Sequence, residues 1–124
     1  MYNEWSMNNV ANAPVDLRDR TFDFAIEVIR FARPYQRDPL AKPIINQLIR
    51  SSSSIGANFV EAKNASSKKD FRNKVFISKK EASETLYWLK LAGEFSDSPE
   101  LTSLQKGCQE IILILQRIIT PLKH

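Results

Sequence analysis

One stretch constrains the fold more than any other: IINQLIRSSSSIGANFVEA, from Ile44 to Ala62. Its apolar or small residues, with Ala41 just ahead of it, fall at Ala41, Ile45, Leu48, Ser52, Ile55, Phe59 and Ala62, in alternating steps of four and three. That spacing is one stripe along an α-helix, with the seam that left-handed bundles use. Ser51 to Ser54 and Gly56 look like a loop, because serine competes for backbone hydrogen bonds and glycine loosens the unfolded chain. A linker would let Ile55, Phe59 and Ala62 take any phase, yet they continue the phase of Ile45 and Leu48. The stretch therefore predicts one long helix through the serines, at a propensity penalty of roughly a few tenths of a kcal/mol per residue. Small side chains predict its compensation, a tight helix crossing at Ser52 and Gly56.

The rest of the chain repeats this logic. Residues 1–15 are polar apart from Trp5 and Val10 and predict a mobile N-terminal arm, with Trp5 available to dock on a neighbour. Residues 16–120 form the bundle and residues 121–124 a short tail. Asp16 predicts a cap for a first helix of about Leu17 to Arg33, with Phe22, Ala25, Ile26, Ile29 and Ala32 facing inward. Asp38-Pro39 predicts the start of the second helix. Ser67 caps a third, about Lys68 to Phe95, whose inner stripe is Phe71, Val75, Ser78, Ala82, Thr85 or Leu86, Leu89 and Ala92. Pro99 opens a fourth that ends before Pro121, with Leu101, Leu104, Cys108, Ile111, Leu115 and Ile118 inside. Four amphipathic helices with short connections predict an all-α, antiparallel up-down-up-down four-helix bundle.

Two helices carry apolar surface beyond what one protomer needs. Ile77, Trp88, Leu91 and Phe95 fall within a back stripe about 60° wide on the third helix. The fourth helix, with Ile112, Leu113, Ile114 and Ile119, is apolar nearly all round, as helices buried on both sides are. These predict self-association into a ring-like homo-oligomer, with Ile77, Trp88, Leu91 and Phe95 at the interface.

Charge is uneven. Between Lys63 and Lys80 the cations Lys63, Lys68, Lys69, Arg72, Lys74, Lys79 and Lys80 face one anion, Asp70, although the whole chain carries only +4. Lys68, Arg72 and Lys79 fall within about 40° on the helix. Such a row is either a solvated basic helix end or a phosphate-binding strip, and in an oligomer it repeats into a strong positive field. No zinc finger, helix-turn-helix glycine turn or RNA-binding aromatic motif accompanies it, so base-specific readout is not expected.

The catalytic inventory is thin. The sole histidine is His124 and the sole cysteine Cys108, which leaves no Glu-x-x-His metal pairs, no disulfide framework and no paired nucleophile. Glu61 and Glu84 are read as edge residues answering Arg50 or Lys80 in preference to a buried carboxylate pair. No phosphate loop is present. The longest apolar run, Ile111 to Leu115, is far below the roughly 18 residues of a membrane span. With no basic start or apolar run at the N-terminus, the expectation is a cytoplasmic, non-enzymatic protein without a cofactor.

At Gln47 to Asn58, then Glu61, Lys69-Asp70-Phe71 and Ala82 to Leu89, the chain resembles the small four-helix bundle proteins related to those encoded in ribosomal RNA intervening sequences. It is more distantly similar to accessory proteins of diversity-generating retroelements. The resemblance covers about Phe22 to Ile119. It departs at Ala62, where relatives usually carry glycine. It implies a ring, often a homopentamer, which in the retroelement relatives binds nucleic acid and a reverse transcriptase. It marks Arg50, Ser51, Ser54, Asn58 and Glu61 as signature positions, read physically as a polar seam between helices two and three. Two functions follow as expectations: an oligomer binding RNA or DNA through its basic surface, or an adaptor or accessory scaffold for proteins such as a reverse transcriptase.

Overall fold

The computed structural model describes residues 16–122. The expected N-terminal arm with Trp5, and His124 in the tail, lie outside the described residues. Four helices follow in order: α1 (Leu17–Ala32), α2 (Lys42–Lys63), α3 (Lys68–Leu91) and α4 (Pro99–Ile119). Short 3-10 turns extend α1, α3 and α4 at their C-terminal ends. No strand occurs among the described residues.

Local chemistry sets most of the boundaries. Asp16, Ser67 and Ser98 sit in extended backbone, and their side chains accept from the N–H of Arg18, Asp70 and Leu101 respectively. Each satisfies a donor that the first helical turn leaves over. The start of α2 differs from the sequence reading. The Asp38 carboxylate accepts from Leu40 N at 2.9 Å and its carbonyl from Lys42 N, so Asp38-Pro39 makes a turn ahead of the helix. Pro43, at the second helical position, has no N–H to leave unpaired.

The serine run is helical without interruption. Ser53 and Ser54 return their hydroxyls to the Arg50 carbonyl at 3.0 and 2.9 Å, and Ser51 and Ser52 bond back to Leu48 and Ile49. Self-satisfied hydroxyls let Ser51 and Ser52 be buried in a helix that would otherwise expose or orphan them. The tight crossing is at Gly56, where an added Cβ would stand 3.0 Å from Thr21 Oγ1 on α1.

The inner stripes of α2, α3 and α4 are the expected ones, with Thr85 rather than Leu86 the buried alternative on α3. On α1 the expected face is only partly right: Ala32 is buried and Ala25 and Ile26 are half-buried, but the main inward stripe lies elsewhere. Leu17, Thr21, Phe24, Val28 and Phe31 point inward, while Phe22 is 65 % exposed and Ile29 37 %. The true stripe has the same four-three alternation, masked by its polar member. Thr21 hides its hydroxyl by donating to Leu17 O at 2.7 Å, so its burial leaves nothing unpaired, and the inward turn buries two phenylalanines instead of one.

Cross-helix bonds give the pairing. Thr85 meets Ser51, Ser78 meets Ile55, and Lys74 meets Glu61, so numbering falls along α3 as it rises along α2. Between α3 and α4, Leu89 pairs with Gln105 and Ala82 with Cys108 in the same reversed sense. The helices pack in a four-helix bundle in which each helix touches the next, and α1 closes on α4 less extensively than on α2.

Candidate nucleic-acid interface

Helix α3 owes its position to α2. Ser78 is fully buried and donates to Ile55 O at 2.7 Å, and Thr85 Oγ1 approaches Ser51 Oγ at 2.8 Å. Small residues on both helices allow this distance, so α3 is pinned along its length and its far side is turned outward. Above this buried layer runs a charged one. Arg50 reaches across to Glu81 at 3.4 Å and to Glu84, and its Nε donates to Gln47 at 2.9 Å. Glu84 also accepts from the Trp88 indole N–H at 2.8 Å. Of the signature residues, Arg50, Ser51 and Glu61 therefore cross to α3, whereas Ser54 and Asn58 bond within α2.

This seam decides the electrostatics of the outer face. Two of the three carboxylates on α3, Glu81 and Glu84, are occupied by Arg50, and the third, Asp70, sits at the helix N-terminus against Ser66 N. Lys68, Lys69, Arg72, Lys79 and Lys80 take part in no ion pair among the described residues, and Lys68, Lys69 and Lys80 are exposed. Lys90, 11 residues beyond Lys79, prolongs the row at a helical spacing that the sequence also shows.

Two predicted cations are diverted. Lys63 is only 5 % exposed, with Nζ 3.6 Å from Asp16 Oδ1 and 5.5 Å from the Phe59 ring centre. It closes the end of α2 onto the α1 cap and stands apart from the basic row on α3. Backbone donation from Arg18, helped by the Arg18 side chain and the Lys63 charge and opposed by desolvation, holds the Asp16 carboxyl below its ordinary value. Lys74 pairs with Glu61 at 3.0 Å.

The expected interface set also divides. Trp88 and Phe95 pack against their own core, Phe95 edge-on to Tyr35 at 5.1 Å. Leu91 is half-buried, and Ile77 is 37 % exposed. The exposed aromatics on α3 are instead Phe76 and Tyr87, which sequence periodicity does not single out because neither continues a stripe. Cys108, the one thiol, is buried against Ala82 O, and burial pushes its pKa up to about 12. It is a core residue.

Residues 15–117 match the family model described as 23S rRNA-intervening sequence protein. The chain belongs to that family. Among solved structures, this family member resembles the crystal structure of a protein of unknown function from the S23 ribosomal protein family of Bacteroides thetaiotaomicron. The two are 34 % identical over 84 % of this chain and 98 % of the other, with a TM-score of 0.78. No curated protein matches. None of its helices is long and apolar enough to cross a membrane among the residues described.

Proposed function

We propose that this intervening-sequence family member is a non-enzymatic, antiparallel up-down-up-down bundle that assembles as a homopentameric ring and binds nucleic acid through α3, without strong sequence preference. The observation that carries the binding is the state of the charges on α3. Lys68, Lys69, Arg72, Lys79 and Lys80 stand outside the ion pairs, while Arg50 has taken up Glu81 and Glu84. Bound counterions are released when such cations meet phosphates, so affinity falls steeply with salt. The reversed pairing of α2 with α3 and of α3 with α4 supports the topology. The family's name, which ties its members to 23S rRNA, agrees with a nucleic-acid role.

Self-association rests on a second observation. On the outward side of α1 Phe22 is exposed, Ile26 is half-buried and Ile29 borders a groove with Ile45 and Ile49 of α2, while Val60 on α2 is 45 % exposed, so apolar surface remains uncovered along this edge. A repeated basic face around a ring multiplies the field at the phosphates. Sedimentation of Phe22→Lys tests this; the variant runs as a smaller species than wild type, and an unchanged sedimentation coefficient removes α1 from the interface.

Fluorescence anisotropy with a labelled oligonucleotide at about 50 and 200 mM salt tests the binding. Replacing Lys68, Arg72 and Lys79 by Gln weakens binding and lowers the salt slope, by roughly 0.7 to 0.9 for each phosphate no longer neutralised. Wild-type affinity and slope in that variant overturn the assignment. The adaptor reading, a scaffold for a partner such as a reverse transcriptase, gains from the same apolar surface on α1. Absence of any binding by wild type at low salt favours it.

A further inference from the structure

Resting on the nucleic-acid reading above, we infer that α3 carries a base-stacking platform for single-stranded nucleic acid, with Phe76 and Tyr87 as the rings on which bases lie. Both rings are largely in solvent, Phe76 at 56 % and Tyr87 at 57 % exposure. Their 11-residue separation places them about 20° apart around the helix and about 16 Å apart along it, so they form one line. Cations flank that line on both sides. Arg72 and Lys79 lie about 40° to 60° to one side of Phe76, and Lys69 and Lys80 about 20° to 40° to the other. None of the four is in an ion pair among the described residues.

Aromatic rings set between cation rows are what an unpaired strand needs. Phosphates follow the positive charge while unstacked bases find π-faces, each stack contributing sequence-tolerant affinity. A duplex keeps its bases stacked internally and meets only the charges. Tyr87 is also braced: the Trp88 ring stands edge-on to it at 5.1 Å and 77°, and Trp88 is itself fixed by Glu84. The platform is therefore ordered before a base arrives. Charge complementarity selects a strand of phosphates as the occupant of this face over a second copy of the chain, whose approach would bring two such rows of like charge together.

The test is anisotropy with oligo-dT, oligo-U and a duplex of equal length, at fixed and at varied salt. Phe76→Ala and Tyr87→Ala each weaken binding of the single strands about tenfold, and the pair about a hundredfold. Duplex binding and the salt slope stay at wild-type values, and Tyr87→Phe, which keeps the ring, keeps the affinity. The two oligonucleotide arms decide whether DNA, RNA or both are held. Single-strand affinity that survives both alanines but falls on neutralising Lys68, Arg72 and Lys79 overturns the platform and leaves the electrostatic reading standing. Wild type that binds no oligonucleotide at low salt overturns both. A double variant that sediments as a smaller species than wild type overturns the platform too, because the rings then belong to a subunit interface.

Discussion

The two sides of the bundle are held together by different means. Between α2 and α3 the helices touch through small residues and buried hydroxyls, with Ser78 on the Ile55 carbonyl and Thr85 on Ser51. Between α1 and α4 lies an open groove of about 800 Å³ lined by Asp19, Asp23, Glu27, Lys106 and Glu110, and bridged by the exposed pair Arg20–Glu110 at 2.5 Å. The first seam tolerates almost no change of volume and fixes the outward face of α3. The second leaves the α1–α4 contact the looser one, although α1 is held closely on α2 at Gly56, and Phe22 on α1 stays exposed in the protomer. On the proposed function, the α2–α3 half would present the charges and the α1–α4 half would serve assembly.

Substitutions put that contrast at risk. Ser78→Leu forces a branched side chain against the α2 backbone and removes a buried hydrogen bond, and is expected to destabilise by about 2 to 3 kcal/mol in urea unfolding. A deficit of less than about half that amount would mean the seam is not tightly packed. Glycine gives a second contrast, between the α1–α2 crossing and the α1–α4 groove, in one pair of variants. A Cβ at Gly107 on α4 would meet only the Phe24 ring at 3.9 Å, an ordinary van der Waals distance, so Gly107→Ala is expected to gain about 0.5 to 1 kcal/mol from helix propensity. Gly56→Ala, 3.0 Å from Thr21 Oγ1, must displace α1 and gains less than Gly107→Ala or is destabilising. Equal gains at both sites would erase the distinction.

Smaller still is Arg20→Ala. Its partner is about half exposed, and surface pairs of this kind contribute about 0 to 1 kcal/mol, so thermal unfolding should shift little. The charge at the α1 cap is better read through pH. Asp16 has a lowered folded-state pKa, so its contribution is complete above its ordinary value of 3.8 and drains away as pH falls through the folded value. Asp16→Asn keeps a capping side chain but removes the charge facing Lys63. Its stability deficit should therefore be constant near neutrality and close below about pH 4. A deficit that persists unchanged to pH 2 would show that it does not come from the carboxylate charge.

Three of the four helices are legible in the sequence because their stripes consist of apolar and small residues at steps of four and three. The serine run is legible for the same reason, since phase survives where composition suggests a loop. On α1 the phase is hidden by Thr21, whose hydroxyl is silenced only by a bond inside its own helix. Lys63 cannot be removed from the basic row by sequence alone, because its partner Asp16 lies 47 residues away and meets it only after α1 has docked. Trp88 and Phe95 are spaced as a free face, yet large rings at a helix edge can bend back onto their own core, as Phe95 does onto Tyr35. Phe76 and Tyr87 escape a reading by apolar stripes, being single rings among lysines whose exposure only the packed bundle reveals.

The most direct measurement is a hydrogen-exchange footprint of the protein with and without saturating oligo-dT. Slowed exchange across Lys68–Lys90, with Leu17–Ala32 unchanged, is the result expected if the α2–α3 half presents the binding face. Slowing confined to α1, or an identical pattern with and without the strand, would contradict it.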